Sequence, residues 1–405
     1  MRRNRGGKIL ILSGRFGEGH VQAAKAIEEA AKLDEPGIQT MIVDFMEWAH
    51  PALFPVSHFV YMKGIKTFPQ LYGYIYQKTY KSTAFSKKLN AAFSMGMRKM
   101  LSLLVIEKPS IVVSTYPFAS SVLSKLKEAG LTTVPLVTVI TDHTHHSYWL
   151  HPHTDQYIVG SNEIKEKLIR TGIPAEKIAA TGIPIRSKFL KKKNPSALIE
   201  KFSLEKNKRT IMIMGGGEGL IGKGLLNRNT LEQFPEPLQL LVLCGHNEKL
   251  KERLQSELSG SKHAIKLIGY TDLVDELMTV SDILITKPGG VTTSEAAAME
   301  LPMLLYKPLP GQEQDNARYL TDAGAAIQVK QPDELFCELN GMLENELLLA
   351  RMKENCRKIQ TNRSAFYAVR LIVDLMDNRI FVPANLSKQR KFGRFGAWRK
   401  TILHG

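Results

Sequence analysis

Two short segments, 282–296 and 302–317, carry residues suited to binding a nucleotide. In each segment an apolar run ends in a turn that contains proline and glycine, and a predicted helix follows. Such a turn aims unpaired backbone N–H groups at a common position, which suits a phosphate group. The first turn contains Gly289-Gly290, and Glu295 follows it in the first turns of the helix. A carboxylate at that position can accept hydrogen bonds from two ribose hydroxyls.

Polar side chains at the start of the second helix form a cluster suited to sugar hydroxyls, namely Gln312, Glu313 and Asn316. Lys287, which precedes the first glycine turn, is a candidate for neutralising a diphosphate, although a surface lysine in a turn explains it equally well. Two ordinary turns of a parallel sheet are the alternative for both segments. The paired turns, together with the polar residues beside them, favour a nucleotide-sugar site.

A third glycine-rich turn follows the first predicted strand and ends at a histidine. It has the pattern Gly14-x-x-Gly17-x-Gly19, and His20 begins the next predicted helix. A histidine with a pKa near 6.5 can accept a hydroxyl proton at neutral pH, and a helix N-terminus keeps the ring neutral. The turn also allows a dinucleotide fold in which Asp44 holds a ribose, although its spacing is not G-x-G-x-x-G. A histidine that only caps the helix or packs is the other alternative.

Five histidines lie within residues 143–153, directly after another predicted strand and Asp142. Asp and His side chains can ligate zinc, but this spacing matches no strong zinc pattern, so we expect no metal site. Asp142 is expected at the carboxyl end of its strand, facing a cleft. It is therefore a second candidate for the base.

These motifs resemble those of nucleotide-sugar glycosyltransferases of the GT-B type. The resemblance is strongest to the processive diacylglycerol glucosyltransferases of Gram-positive bacteria. Plant monogalactosyldiacylglycerol synthase and the peptidoglycan GlcNAc transferase are more distant. The resemblance covers about residues 8–375 and depends on the paired donor turns, the Gly-x-Gly-His turn and the segment 181–186. It also depends on a Thr-Asp-x-x-x-His-x-x-Trp pattern, matched by Thr141, Asp142, His146 and Trp149.

The resemblance implies an inverting enzyme that transfers a hexose, expected to be glucose, from a UDP-sugar to a membrane lipid, expected to be diacylglycerol. The base would be His20 or Asp142. Gly17, Gly19, His146 and Trp149 would lie on the acceptor side. The donor would be bound by Gly216, Gly217, Gly245, Asn247, Tyr270, Lys287, Gly289, Gly290, Glu295, Gln312, Glu313 and Asn316. The resemblance implies no required cofactor, and the UDP-sugar is a substrate.

Continuous apolar strands alternate with predicted helices along the chain, which indicates parallel sheets covered on both faces. We expect an α/β protein with two doubly wound, Rossmann-like domains that face each other across a cleft in the GT-B arrangement. The predicted limits are 1–186 for an acceptor- and membrane-binding domain, 187–375 for a UDP-sugar domain and 376–405 for a basic aromatic tail.

The net charge of +16 suggests an anionic partner. Between Trp48 and Ile106 there is no Asp or Glu, but there are eight basic and eleven aromatic residues, a composition typical of an interfacial membrane surface. Residues 387–405 repeat this mixture, although a solvated end is an alternative for them. No run approaches the ~20 apolar residues of a spanning helix. The three separated cysteines fit a reducing cytoplasm. We expect a cytoplasmic protein bound peripherally to the inner face of the cell membrane.

Other functions stay open from the sequence. A UDP-sugar epimerase shares the two-domain plan and the donor pocket but needs no membrane. A nucleotide-dependent oxidoreductase would bind NAD(H), and a glycosyltransferase with a different acceptor would keep the donor site. A nucleic-acid-binding protein is the least favoured, because no nucleic-acid-binding motif appears.

Overall fold

The computed structural model describes residues 6–15, 17–49, 96–217, 219, 226, 228–361 and 363–377. These residues form two parallel six-stranded sheets with flanking helices, which confirms the predicted α/β fold. Residues 50–95 and 378–405, which hold most of the two basic aromatic segments, lie outside the described residues. None of the helices in the described part of the chain combines the length and the apolar character needed to cross a bilayer.

The first sheet has the strand order β2-β1-β3-β4-β5-β6. Its strands are β1 Gly7–Ser13, β2 Ile38–Asp44, β3 Ile111–Ser114, β4 Leu136–Val139, β5 Gln156–Ile158 and β6 Ile178–Ala179. The accompanying helices are α1 Glu18–Asp34, α2 Phe45–Ala49, α3 Met97–Glu107, α4 Pro117–Glu128 and α5 Asn162–Arg170. Alternate residues of β1 face different cores, since Ile9 and Ile11 pack against α1 whereas Leu10 and Leu12 pack against α3 and α4. Because both faces are covered, the central residues 9–12 of this strand are all apolar and buried.

The second sheet has the order β12-β11-β10-β7-β8-β9. Its strands are β7 Thr210–Met214, β8 Gln239–Gly245, β9 Ala264–Gly269, β10 Ile283–Thr286, β11 Met303–Tyr306 and β12 Ala326–Val329. The helices that follow β6 are α6 Pro195–Lys201, α7 Arg228–Leu231, α8 Glu248–Glu257, α9 Val274–Thr279, α10 Gly290–Ala298, α11 Gln312–Asp322, α12 Pro332–Glu344, α13 Glu346–Ile359 and α14 Ser364–Asp377. Residues 211 and 213 of β7 face one core and residues 212 and 214 face the other.

The last helix, α14, follows the second domain in sequence but packs on the first domain. Ala368, Val369, Ile372 and Val373 of α14 are buried in the core of the first sheet, beside α1. The predicted second domain, 187–375, therefore includes a helix that packs on the first domain. The reason is that the apolar face of α14 complements α1, and an amphipathic pattern does not reveal which sheet a helix covers.

The two domains meet at the starts of α1 and α10. Ala23, Ile183 and Val291 form a small buried apolar cluster that joins α1, the connecting segment and α10. Gly290 is packed so closely against the first domain that a Cβ there would overlap the carbonyl oxygen of Thr141. The loops at the carboxyl ends of both sheets therefore line one shared cleft.

Candidate active site

A cleft of about 570 Å³ lies between the two domains. The predicted site residues that line it are Gly17, Gly19, His20, Asp142, Gly216, Gly217, Gly245, Tyr270, Lys287, Gly289, Gly290, Glu295, Gln312 and Glu313. Loops that are far apart in sequence thus converge on one volume, because each follows the carboxyl end of a parallel strand.

His20 is held at the start of α1 by contacts on several sides. Its Nδ1 lies 3.0 Å from the hydroxyl oxygen of Thr141, and its backbone carbonyl accepts a hydrogen bond of 2.9 Å from the Thr115 hydroxyl. The rings of Tyr116 and Trp149 lie edge-on to the imidazole, with centroids 5.6 and 5.9 Å away. Burial lowers the pKa of His20 to about 4, although a separate hydrogen bond between the ring and the backbone of Thr115 opposes this shift. The ring is therefore neutral at pH 7 and can accept a proton.

Asp142 belongs to the first domain and lines the cleft, but residues of the second domain donate hydrogen bonds to its side chain. Its Oδ1 accepts a 2.8 Å hydrogen bond from the amide of Asn316, and the backbone N–H of Gly290 also donates to the carboxylate. Burial, together with the negative charges of Glu313 and Asp315, raises the pKa of Asp142 to about 6, while the two hydrogen bonds oppose the shift.

Two glycine loops of the second domain pack against each other beneath the cleft. Gly219 has a φ of 57° and Gly245 has a φ of 59°, in the left-handed region that favours glycine. A Cβ on Gly219 would overlap the carbonyl of Cys244, and one on Gly245 would overlap the carbonyl of Gly217. Only glycine fits these close approaches, so the loops expose backbone to the cleft, as a phosphate cradle requires.

Glu295 is buried on α10 and faces the same cleft. Burial raises its pKa to about 8, while the positive charges of Lys188 and Arg186 act in the opposite direction. The carboxyl group is therefore mostly protonated at pH 7 in the unliganded protein.

Lys287 and Glu313, on neighbouring loops of the second domain, form an ion pair at the cleft wall, with 2.7 Å between Nζ and Oε1. The other oxygen of Glu313 accepts a 2.8 Å hydrogen bond from the backbone N–H of Leu309. Both side chains line the cleft, and Gln312 lies beside them at the start of α11. The carboxylate proposed for sugar hydroxyls is thus already held by two protein donors.

Some predicted site residues do not line the cleft. The side chain of Asn247 caps α8 by accepting a hydrogen bond of 3.0 Å from the N–H of Leu250. His146 accepts a hydrogen bond of 3.1 Å from the N–H of Tyr148, and Trp149 is buried behind His20. Asn316 is fully buried, with its side chain bonded to the protein.

The structure also brings residues to the cleft that the sequence did not single out. Glu18 follows Gly17 at the start of α1, and Arg186 and Lys188 come from the connecting segment. The ring of His246 stacks on Tyr270 with centroids 4.2 Å apart. Arg186 ends the segment 181–186, which already carried part of the family resemblance, so that segment held a usable signal. His246 lies between Gly245 and Asn247, both predicted to bind the donor, so its neighbours also held a signal, whereas Lys188 had none.

The five histidines do not come together as metal ligands. The ring of His143 stacks on Tyr319 at 3.8 Å, and burial lowers its pKa to about 3. His151 instead lies 3.1 Å from the carbonyl of Pro117. No group of three or more His, Cys, Asp or Glu side chains able to hold a metal ion occurs within the described ranges.

Comparisons with known proteins identify the family of this chain. Residues 20–185 match the family model of monogalactosyldiacylglycerol (MGDG) synthase, and residues 210–369 match that of the glycosyltransferase family 28 C-terminal domain. The chain is 36% identical over 368 residues to a processive diacylglycerol beta-glucosyltransferase of Bacillus cereus strain G9842, covering 90% of this chain and 93% of the relative. A relative of the same description in Bacillus mycoides is also 36% identical.

Solved structures share the fold at low identity. MurG of Acinetobacter baumannii superposes with a TM-score of 0.60 at 17% identity, over 91% of this chain and all of that chain. The HepE protein of Anabaena in complex with UDP gives a TM-score of 0.57 at 15% identity, over 92% of this chain and all of the other. A Listeria monocytogenes protein described as a putative UDP-N-acetylglucosamine 2-epimerase gives 0.61 at 16%, over 93% of this chain and 99% of that chain. At such identities the likeness shows the fold alone.

Proposed function

Because the chain belongs to the processive diacylglycerol β-glucosyltransferase family, whose members have the GT-B fold, we propose that it transfers glucose from UDP-glucose to diacylglycerol with inversion at the anomeric carbon. The observation that carries the proposal is the convergence, in one interdomain cleft, of a neutral histidine and a backbone phosphate cradle. The histidine suits a base, and the cradle suits a leaving diphosphate.

His20 is the proposed base. If its Nδ1–H donates to Thr141, then the lone pair on Nε2 is available to an acceptor hydroxyl. The acceptor oxygen attacks C1 of glucose, its proton moves to His20, and the bond between C1 and the diphosphate oxygen breaks, releasing UDP. Asp142 is the weaker candidate, since Asn316 and Gly290 already donate hydrogen bonds to its carboxylate.

The donor is proposed to lie across the second domain. Its diphosphate would contact the glycine loops at 216–217 and 245 and the start of α10, where backbone N–H groups and the helix dipole favour negative charge. The ribose hydroxyls would donate to Glu295. The uracil would lie near Tyr270, whose exposed ring lines the same cleft.

The hexose is proposed to contact Gln312 and Glu313 at the start of α11. Since Glu313 is paired with Lys287, the arriving donor has to share or replace that pair. A diphosphate oxygen is a natural new partner for the lysine, and a hexose hydroxyl can donate to the carboxylate that is released. This exchange would couple recognition of the sugar to recognition of the diphosphate.

The membrane lipid acceptor and an anionic bilayer surface complete the proposal. They are supported by the net charge of +16 and by the basic aromatic composition of residues 48–106. The protein would bind peripherally to the cytoplasmic face of the cell membrane. We do not propose a nucleic-acid partner.

The test is a transfer assay with the purified chain. UDP-glucose, UDP-galactose and UDP-GlcNAc are supplied in turn with anionic liposomes that contain diacylglycerol. UDP release and lipid glycosides are followed by mass spectrometry, and a His20→Ala variant serves as the control. A β-glucosyl lipid formed only by the wild-type chain is the expected result.

Other outcomes redirect the proposal. UDP release without a glycolipid would keep the donor site and reject diacylglycerol as the acceptor. Conversion of UDP-GlcNAc into its epimer without any liposomes would establish an epimerase instead. Failure of all three donors to release UDP or to isomerise would reject the nucleotide-sugar function.

A further inference from the structure

The buried side-chain amide of Asn316 connects the two domains beside the cleft. Asn316 on α11 has no exposed surface. Its Oδ1 accepts a hydrogen bond of 2.6 Å from the backbone N–H of His143, and its Nδ2 donates to Asp142 at 2.8 Å and to the carbonyl of Pro288 at 2.9 Å. Two of these partners belong to the first domain, directly after β4, and the third belongs to the turn before α10. All of the polar groups of this amide are used inside the protein.

Neighbouring contacts hold the same segments together. The hydroxyl of Thr144 donates to Asp315 at 2.8 Å, and the ring of His143 stacks on Tyr319. Residues 315, 316 and 319 lie on one face of α11, so the segment 142–144 runs along that face. This packing defines how the first domain sits on the second at the cleft.

The contacts continue to the proposed base on one side and to the phosphate cradle on the other. Thr141, next to Asp142, lies 3.0 Å from Nδ1 of His20. Pro288 precedes the Gly289-Gly290 turn, and Gly290 abuts the carbonyl of Thr141. A continuous series of contacts thus leads from His20 through Thr141, Asp142 and Asn316 to the turn that opens α10.

We infer that Asn316 is a positioning residue that fixes the distance between the base and the leaving diphosphate, and that it does not bind the hexose. The inference rests on the proposed function and differs from the role that the family resemblance implies for this position. Its basis is that Asn316 lies outside the cleft lining, whereas Gln312 and Glu313 on the same helix line the cleft. In a displacement that requires near-contact alignment, a misplacement of about 1 Å can reduce the rate about 100-fold.

The experiment compares Asn316→Ala and Asn316→Asp with the wild-type chain. Asn345→Ala is the matched control, because Asn345 caps α13 by accepting a hydrogen bond from the N–H of Leu348 and lies outside the cleft lining. We expect Asn316→Ala to lower kcat about 100-fold with little change in the Kd for UDP-glucose. The preference for UDP-glucose over UDP-galactose should stay the same. The control should lose thermal stability and keep its kcat.

Asn316→Asp adds a pH readout that a purely structural loss does not produce. The new carboxylate keeps an acceptor for the N–H of His143 but faces Asp142, and two adjacent carboxyl groups share one proton as the pH falls. The shared proton restores a donor between the domains. The kcat of this variant relative to the wild-type chain should therefore rise as the pH is lowered from 8 to 6.

Hydrogen exchange in the unliganded protein tests the inference without turnover. The backbone N–H of His143 should exchange faster by about tenfold or more in Asn316→Ala than in Asn345→Ala, because its acceptor is lost. An unchanged exchange rate at residues 141–144 would overturn the inference. So would an unchanged kcat, or a changed preference between the two donors, which a direct hexose contact would give. If the wild-type chain formed no glycolipid, the proposed function would fail, and the exchange measurement would still decide whether Asn316 holds the segment 141–144 against the second domain.

Discussion

The donor should bind to the ionised form of Glu295, so binding should release the proton of this carboxyl group. In the unliganded cleft, burial raises the pKa of Glu295 to about 8, so roughly nine in ten of these carboxyl groups are protonated at pH 7. A carboxylate that accepts hydrogen bonds from two ribose hydroxyls is stabilised in its charged form, so the pKa falls in the complex. Binding at pH 7 should therefore release about 0.9 proton, and binding at pH 9 about 0.1.

The pH dependence of the affinity for UDP-glucose follows from the same coupling between donor binding and ionisation of Glu295. A group that must ionise in order to bind weakens binding below its free pKa, so the Kd for UDP-glucose should fall as the pH rises and level off above 8. With a free pKa of about 8 and a bound pKa near the usual range, the Kd should decrease about tenfold between pH 7 and pH 9.

Calorimetry in buffers of different ionisation enthalpy measures both the Kd and the proton release. UDP-glucose is the better ligand, because the terminal phosphate of UDP ionises near pH 6 and would add its own pH dependence. This pH range also lies above the pKa of Asp142, about 6, and that of His20, about 4. The control is Glu295→Gln, which keeps an acceptor of similar shape but cannot titrate. A wild-type Kd that is flat between pH 7 and pH 9, or a slope that persists in Glu295→Gln, would refute the reasoning.

Three further predictions follow from single contacts. His20→Ala should lower kcat by about 100- to 10,000-fold and leave the UDP-glucose Kd nearly unchanged in calorimetry, and a matching loss of affinity would contradict its role as the base. Gly290→Ala should lower the melting temperature, because overpacking against the Thr141 carbonyl costs about 1–3 kcal/mol. Gly289→Ala has no atom within 4 Å of its new Cβ, so equal losses in the two variants would reject the close contact as the cause. Glu313→Gln should weaken binding of UDP-glucose but not of UDP, since it leaves Lys287 with a neutral neighbour, and equal weakening of both ligands would count against the proposed exchange.

The fold was predictable because its signals are local. Buried parallel strands such as β7, β10 and β11 are almost entirely apolar, so short apolar runs in the sequence already indicate them. The two-residue strand β6 was missed because two residues carry no periodicity. The packing of α14 on the first domain was also missed, since it depends on contacts between residues more than 300 positions apart in sequence.

Much of the cleft was predictable for the same reason, because glycine turns after strands have to lie at one edge of a sheet. The role of Asn316 could not be predicted in this way. A polar residue at a helix start has the same local pattern whether it faces a sugar or the neighbouring domain. Its partner Asp142 lies 174 residues away, and only the tertiary contact distinguishes the two roles. Asn247 is similar, since its position after β8 fits both a ligand contact and the helix cap that it forms.

The charges around the cleft explain why backbone geometry has to dominate donor recognition. Within the described part of the cleft lining, each cation already has a carboxylate partner: Arg15 with Glu47 at 3.4 Å, Arg186 with Glu29 at 3.2 Å, Lys188 with Asp275 at 3.2 Å and Lys287 with Glu313 at 2.7 Å. A diphosphate that recruits one of these cations must replace a carboxylate that already holds it, which offsets much of the gain. Backbone N–H groups at the glycine loops and at the start of α10 need no such exchange. Of the four pairs, only the one between Lys287 and Glu313 has a carboxylate that is proposed to bind the hexose. A complete nucleotide sugar therefore gives both side chains a new partner when this pair breaks, whereas UDP alone gives a new partner only to Lys287.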